Sequence, residues 1–214
     1  ISVPRASYIS DAFSNFSLAL SKEKNVEIFY KETNAQRVIK NILEADYNLG
    51  ILRYAENFDK FYSDLFSEKG LRHELITEFK YILLMNKNNP LAKKDFITFE
   101  DLKGYIEIAH ADPFVPSLPF ASVRKEELPD NIDRRIFVFE RASQFDLLSK
   151  NPDTFMWVTP SPKSLLDRFG LVEKKNTENN RIYRDVIIHK KDYVLSELDK
   201  LFISELCQSK RELF

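Results

Sequence analysis

The 214-residue sequence predicts an α/β protein whose chain builds one lobe and crosses into a second. Three observations predict it. Ile1 to Tyr54 holds three strand-then-helix beginnings; two strand-like stretches, Leu71–Phe79 and Tyr81–Met85, are separated only by Lys80; and a second set of alternations runs from Tyr105 to Val158.

The first beginning is a short strand in Ile1–Ala6, followed by Ile9, Ala12, Phe13, Phe16 and Leu20, which share one face at helical spacing. The second is Val26–Lys31, rich in β-branched and aromatic residues, leading to Ala35, Val38, Ile39, Ile42 and Leu43 at the same spacing. Thr33 and Gln36 are placed to form a capping box at that helix start. The third lies in Tyr47–Tyr54, where Leu49-Gly50-Ile51-Leu52 is the compact apolar run expected of a strand buried in a parallel sheet.

The Leu71–Met85 stretch then reads as the crossover. Asn86–Leu91 supplies turn residues with Pro90, and Thr98 with Asp101 marks the cap and first turn of a short helix. Tyr105–His110 and Arg135–Glu140 read as strands. Ser143 with Asp146 is expected to cap a helix carrying Phe145, Leu147 and Leu148, and Phe155–Val158 reads as the next strand. Ser161 is expected at a helix N-cap with Pro162 at the first helical position, ahead of a face made by Leu165, Leu166 and Phe169. Ile182–His189 is strand-like, and Val194, Leu195, Leu198, Leu201 and Phe202 define a terminal amphipathic helix. Ala111–Asp133, with four prolines, and the polar stretch Glu173–Arg181 read as connectors.

Composition narrows the function. Hydrophobic residues make up 43% and charged residues 30%, the balance of a folded globular chain. Net charge is −1, with both signs interleaved, so the sequence carries no electrostatic footprint for nucleic acid. The single Cys207 excludes an internal disulfide and a cysteine-rich zinc site, and fits packing on a helix in a reducing compartment. No apolar run reaches the roughly 20 residues of a membrane-spanning helix. The sequence starts at Ile1 and reads as a fragment, so the lack of a leader says nothing of location. His73, His110 and His189 are scattered, and no Gly-x-Ser-x-Gly or phosphate-loop pattern occurs among four glycines, so no catalytic residue, metal or cofactor is expected. The 18 phenylalanines and 9 tyrosines are enough to fill two cores.

Three segments carry a family resemblance. Glu44-Ala45-Asp46-Tyr47-Asn48-Leu49-Gly50-Ile51-Leu52 resembles the helix end and third strand of the effector-binding domain of LysR-type bacterial transcription regulators, with Asn48 in place of a common aspartate. Leu84-Met85-Asn86-Lys87-Asn88-Asn89-Pro90-Leu91-Ala92 resembles its crossover strand and the segment after it, with Asn89 where histidine is frequent. Phe96-Ile97-Thr98-Phe99-Glu100-Asp101-Leu102 resembles the helix that opens its second lobe. The resemblance covers nearly the whole chain. It implies the type 2 periplasmic-binding-protein fold, two Rossmann-like lobes joined by two crossover strands. Residues 1–79 form the first part of lobe I, 80–181 the inserted lobe II, and 182–214 the return strand and C-terminal helix.

The resemblance further implies a cytoplasmic sensor whose small-molecule effector sits between the lobes, and a homodimer or homotetramer to which the helix at residues 8–20 contributes. It touches DNA only through an N-terminal helix-turn-helix outside this sequence and touches no membrane. Effector contacts are expected at strand ends and helix starts. On lobe I these are Ser7 and Tyr8, against a plain N-cap serine; Thr33 and Asn34 in the equivalent second loop; and Arg53, either gripping a carboxylate or making an interlobe or surface salt bridge. On lobe II they are His110, against a structural histidine, then Arg141 and Thr159; Asp112 nearby favours an amine-bearing effector. The competing readings are a solute-binding receptor of the same fold and a two-lobed α/β enzyme, which needs a paired acid and base.

Overall fold

In the computed structural model of the chain, the described residues are 1–21, 24–114, 116 and 132–214. They divide into two compact units, Ile1–Phe79 with Ile182–Phe214, and Lys80–Arg181. Each unit holds one five-stranded mixed sheet with helices.

Unit 1 comprises β1 (Ser2–Val3), α1 (Ser7–Leu20), β2 (Lys31–Glu32), α2 (Ala35–Glu44), β3 (Gly50–Ala55), α3 (Asp59–Glu68), β4 (Leu71–Phe79), β10 (Tyr183–Lys190) and α7 (Glu197–Leu213). Its strand order is β2-β1-β3-β10-β4, with β1 parallel to both neighbours and β10 antiparallel to β3 and β4. Val3, Leu49 and Ile51 from the sheet, Ile9, Ala12 and Phe16 from α1, and Phe202 and Leu206 from α7 form one core. Burying such side chains contributes about 1.5–3 kcal/mol each. Gly50 is where α2 comes down onto the sheet: a Cβ there would lie 2.7 Å from Val38 Cγ1 and 3.0 Å from Ile188 Cγ1. That approach requires glycine.

Unit 2 comprises β5 (Ile82–Asn86), α4 (Phe99–Leu102), β6 (Ile106–His110), β7 (Arg135–Val138), α5 (Arg141–Lys150), β8 (Thr154–Val158), α6 (Lys163–Phe169) and β9 (Leu171–Lys174). Its order is β7-β6-β8-β5-β9, with β7, β6 and β8 mutually parallel and β5 antiparallel to β8 and β9. The order repeats that of unit 1: the first strand lies between the second and third, a strand adjoining a crossover follows, and the fourth closes the edge. Strand alternation splits the apolar residues into two faces. Leu84, Met156, Ile108 and Val138 pack under α5 and α6, and Leu83, Met85, Phe155 and Ile97 pack on the other side.

Several sequence expectations need correction. The strand expected over Val26–Lys31 is instead Lys31–Glu32, because β1 is only two residues long and on that side pairs with those two residues alone. Ile28 and Tyr30 instead pack sideways on the core, with Tyr30 stacked on Phe13 at 4.1 Å. The α2 cap is Asn34, whose side chain accepts from Arg37 N at 3.0 Å, and not a Thr33–Gln36 box. Ser143 lies inside α5, which starts at Arg141 with Glu140 as N-cap and no side-chain cap. Pro162, not Ser161, is the N-cap of α6. The stretch read as the connector Glu173–Arg181 begins with the end of β9, which the polar composition hid. Thr98 and Asp101 do form a capping box, and Ser196 with Asp199 forms another at the start of α7. Most of Ala111–Asp133 lies outside the described residues.

Candidate functional site

In unit 1 the carboxyl ends of β1, β2 and β3 face one sheet edge. Strand β1 connects through α1 to β2 on one side, and β3 leads through α3 to β4 on the other. The connections therefore diverge between β1 and β3, the switch point where open α/β sheets leave a crevice. Thr33 N donates to Val3 O at 2.8 Å, which holds the second loop against the first. Ser7, 5% exposed, is the first residue of α1, whose N-cap Ala6 supplies no side-chain acceptor. Its first-turn N–H groups thus lack a side-chain cap. Thr33 is buried behind it, and Asn34 is spent on capping α2.

Arg53 and Tyr8 meet on one carboxylate. Asp185, fully buried on β10 opposite Arg53, accepts from Arg53 Nε at 2.8 Å and from Nη2 at 2.6 Å, a bidentate pair. Its Oδ2 also accepts from the Tyr8 hydroxyl at 2.5 Å. Burial, and then the Asp185 charge, push the Tyr8 hydroxyl well above its ordinary range, so Tyr8 stays a neutral donor. The Arg53 guanidinium lies 4.7 Å from the centroid of the Phe79 ring, and its Nη1 approaches Arg5 O at 3.5 Å. Arg53 does make a salt bridge, but it is buried within unit 1, where the expectation was a surface or interlobe one. Sequence reasoning missed Asp185; its one signal is an acidic residue directly before the apolar run Val186-Ile187-Ile188.

Unit 2 repeats the arrangement. His110 ends β6, Arg141 starts α5 after β7, and Thr159 follows β8, so all three stand at the carboxyl edge of parallel strands. Ala111 N donates to Val138 O at 2.9 Å, joining the loops after β6 and β7. Arg141 lies 5.0 Å from the centroid of the Phe145 ring. Thr159 is 2% exposed, and its Oγ1 has no hydrogen-bond partner among the described residues. Two residues on, Ser161 N donates to Glu173 Oε1 at 2.7 Å. Burial raises the Glu173 carboxyl above the usual carboxylate range despite that bond.

Each unit thus gathers its own candidates: Ser7, Tyr8, Thr33, Asn34 and Arg53 in one, His110, Arg141 and Thr159 in the other. Uncapped helix starts at a carboxyl edge are suited to carboxylates and other anions. Among the described residues, no group of three or more His, Cys, Asp or Glu side chains could hold a metal ion, and no helix is long and apolar enough to cross a membrane.

No protein-family model and no curated protein matches the sequence. Solved structures do match. The effector-binding domain of QuiR in complex with shikimate is 20% identical, with a TM-score of 0.59 over 100% of this chain and 98% of that one. The regulatory domain of MetR, a LysR-family regulator from N. meningitidis, is 17% identical, with a TM-score of 0.55 over 99% and 90%. A sulfate-bound OxyR2 regulatory domain from Vibrio vulnificus is 13% identical, with a TM-score of 0.59 over 100% and 93%. The chain has the fold of these effector-binding domains, the type 2 periplasmic-binding-protein fold.

Proposed function

We propose that the chain is the effector-binding domain of a LysR-type transcription regulator. It senses a small polar or anionic metabolite and passes the signal to an N-terminal helix-turn-helix outside this sequence. The observation that carries this reading is the repeated strand order of the two units, matched across nearly its full length by regulatory domains of bacterial transcription factors.

In this reading the effector is held at the carboxyl edges of the parallel strands. Ser7 and Thr33 offer hydroxyls and backbone N–H groups from unit 1, and His110, Arg141 and Thr159 contribute from unit 2. Tyr8 and Arg53, locked on Asp185, shape the unit 1 side, while Asn34 sets the start of α2. An effector that binds one conformation of the chain more tightly shifts the equilibrium by its differential affinity and no more. Pairing of two or four chains, with α1 contributing, would convert that shift into a changed spacing of DNA-binding domains.

The test has two parts. A thermal-shift screen of amino acids, organic acids and aromatic acids on the 214-residue chain should find a stabilising compound, because a ligand selective for the folded state raises Tm. The gene should encode a helix-turn-helix ahead of Ile1, and the full-length protein should bind its own promoter region differently with that compound present. An export signal in that position, or a footprint indifferent to every stabilising compound, would refute the proposal.

A further inference from the structure

The sheet of unit 1 ends on one side in β4, a nine-residue edge strand that pairs with β10 alone among the described residues. Two bonds tell which of its backbone groups face outward. Lys191 N donates to Gly70 O at 3.0 Å, one step beyond the Lys190–Leu71 rung, and on the far side of β10 Glu56 N donates to Ile182 O at 2.9 Å. Opposed residues of antiparallel strands alternate between bonded and open pairs. Both bonds therefore give the same parity: Arg72 and Glu74 bond to β10, and Leu71, His73 and Leu75 turn their N–H and C=O groups to the open edge.

The two halves of this edge are finished differently. The register shifts between Asp185 and Val186, which leaves Ile76 as an extra residue in the ladder, and the Ile76 carbonyl accepts from Lys210 Nζ at 2.9 Å. A bulge and a lysine are devices that keep a further strand from adding to an edge. Here they guard it only from Ile76 onward. Arg72, His73, Glu74 and Leu75 are all exposed, Leu75 by 51%, and neither Arg72 nor Glu74 makes an ion pair among the described residues.

We propose that Leu71–Leu75 pairs with the same segment of a second copy of this chain, antiparallel about a two-fold axis at His73. In that register Leu71 faces Leu75 of the second copy, His73 faces His73 and Leu75 faces Leu71, so every outward rung meets an outward rung. Between them Arg72 faces Glu74 and Glu74 faces Arg72, an opposite-charge pair on each side of the axis. The His73 ring lies 4.9 Å from Phe66 of α3, so Leu71, His73 and Leu75 share the α3 face, where exposed Leu75 gains an apolar neighbour; the charges meet on the other face. An axis at Arg72 or Glu74 would oppose like charges, and one at Leu75 would set His73 against Thr77, whose backbone turns inward past the bulge. The contact is separate from α1 and needs no effector. Being smaller than the roughly 1,000 Å² of a stable interface, it forms at high chain concentration or between copies held together elsewhere.

Disulfide trapping reads the register. In a Cys207→Ser background, chains carrying Arg72→Cys are mixed with an equal amount of differently tagged chains carrying Glu74→Cys and oxidised. Directly opposed residues of an open pair lie about 4.5 Å apart at Cα, within disulfide reach. The mixed dimer should outnumber the two like-with-like dimers together, and an equal or smaller share overturns the register. Sedimentation equilibrium reads the charges. Arg72→Glu and Glu74→Arg each place like charges opposite one another on both sides of the axis and should weaken self-association about tenfold, while the two substitutions combined should restore it. Single variants that associate as the parent does, or a double variant as weak as the singles, would overturn the pairing.

Discussion

Asp185 is the residue on which unit 1 should depend most. Its side chain is fully buried, that of Arg53 is 10% exposed, and the two are joined by two short hydrogen bonds, with the Tyr8 hydroxyl added on Oδ2. Asp185→Ala removes the carboxylate but leaves the guanidinium in place beside the Phe79 ring, 4.7 Å away, and the Arg5 carbonyl, 3.5 Å away. Breaking a buried pair by deleting one partner costs about 3–5 kcal/mol, and stranding the Tyr8 hydroxyl adds on the order of 1 kcal/mol. At about 2–4 °C per kcal/mol for a chain of this size, Tm should fall by roughly 8–24 °C. Replacing both charges by apolar residues, Arg53→Met with Asp185→Leu, should recover most of the loss, because desolvating the pair already offsets much of its attraction. Urea unfolding followed by far-UV circular dichroism measures both effects. A single variant within about 1 kcal/mol of the parent, or a double variant less stable than the single one, would refute the reasoning.

Two further outcomes follow from packing and from burial. Gly50→Ala should destabilise by about 1–3 kcal/mol, since its Cβ meets Val38, Ile188 and Ile42 together, and adding Val38→Ala should restore part of that loss. Denaturation curves of the three proteins decide it. Glu107, buried and bonded to Arg135 at 2.7 Å, has its carboxyl raised above the ordinary 4.5 chiefly by desolvation. A raised folded-state pKa means the folded protein holds this proton more tightly than the unfolded one. Stability from that source is full below about pH 4.5 and is lost as pH rises through the folded value. Glu107→Gln abolishes the titration, so its stability relative to the parent should be greater at pH 7 than at pH 4; a relative stability that falls between those two pH values contradicts the assignment.

The elements most legible in the sequence are those whose signal is local. The helix-spaced apolar residues of α1, α2 and α7, the run Leu49–Leu52 and the Thr98–Asp101 box each fix an element from neighbours a few residues apart. Where tertiary partners decide, sequence reading fails. Val26–Tyr30 has strand composition, yet beside it the chain offers only Ile1, whose amino group donates to Phe29 O at 2.6 Å, and Ile28 and Tyr30 join the core through their side chains. Strand β9 has one buried residue, Leu171, and exists because β5 presents a free edge. The loops that carry the candidate contacts were readable as strand-to-helix turns. The chemistry within them was less so: Arg53 finds Asp185 across 132 residues of sequence, and Thr159 stands out only because its hydroxyl is buried without a partner among the described residues.

The sheet order of unit 1 also sets a timetable for synthesis. Strand β10 lies between β3 and β4, so Ile1–Phe79 emerges from the ribosome with the middle of its sheet missing. The whole of Lys80–Arg181, one uninterrupted stretch, must be translated before Tyr183–Lys190 appears. At roughly 5–20 residues per second, the facing edges of β3 and β4 wait about 5–20 s for the strand that joins them. During that interval Leu52, Tyr54 and Ile76, buried in the finished sheet, flank open backbone edges that another nascent chain can pair with. Unit 2 holds all five strands of its own sheet in that interval, so the nested half of this chain can close while the enclosing half waits for β10.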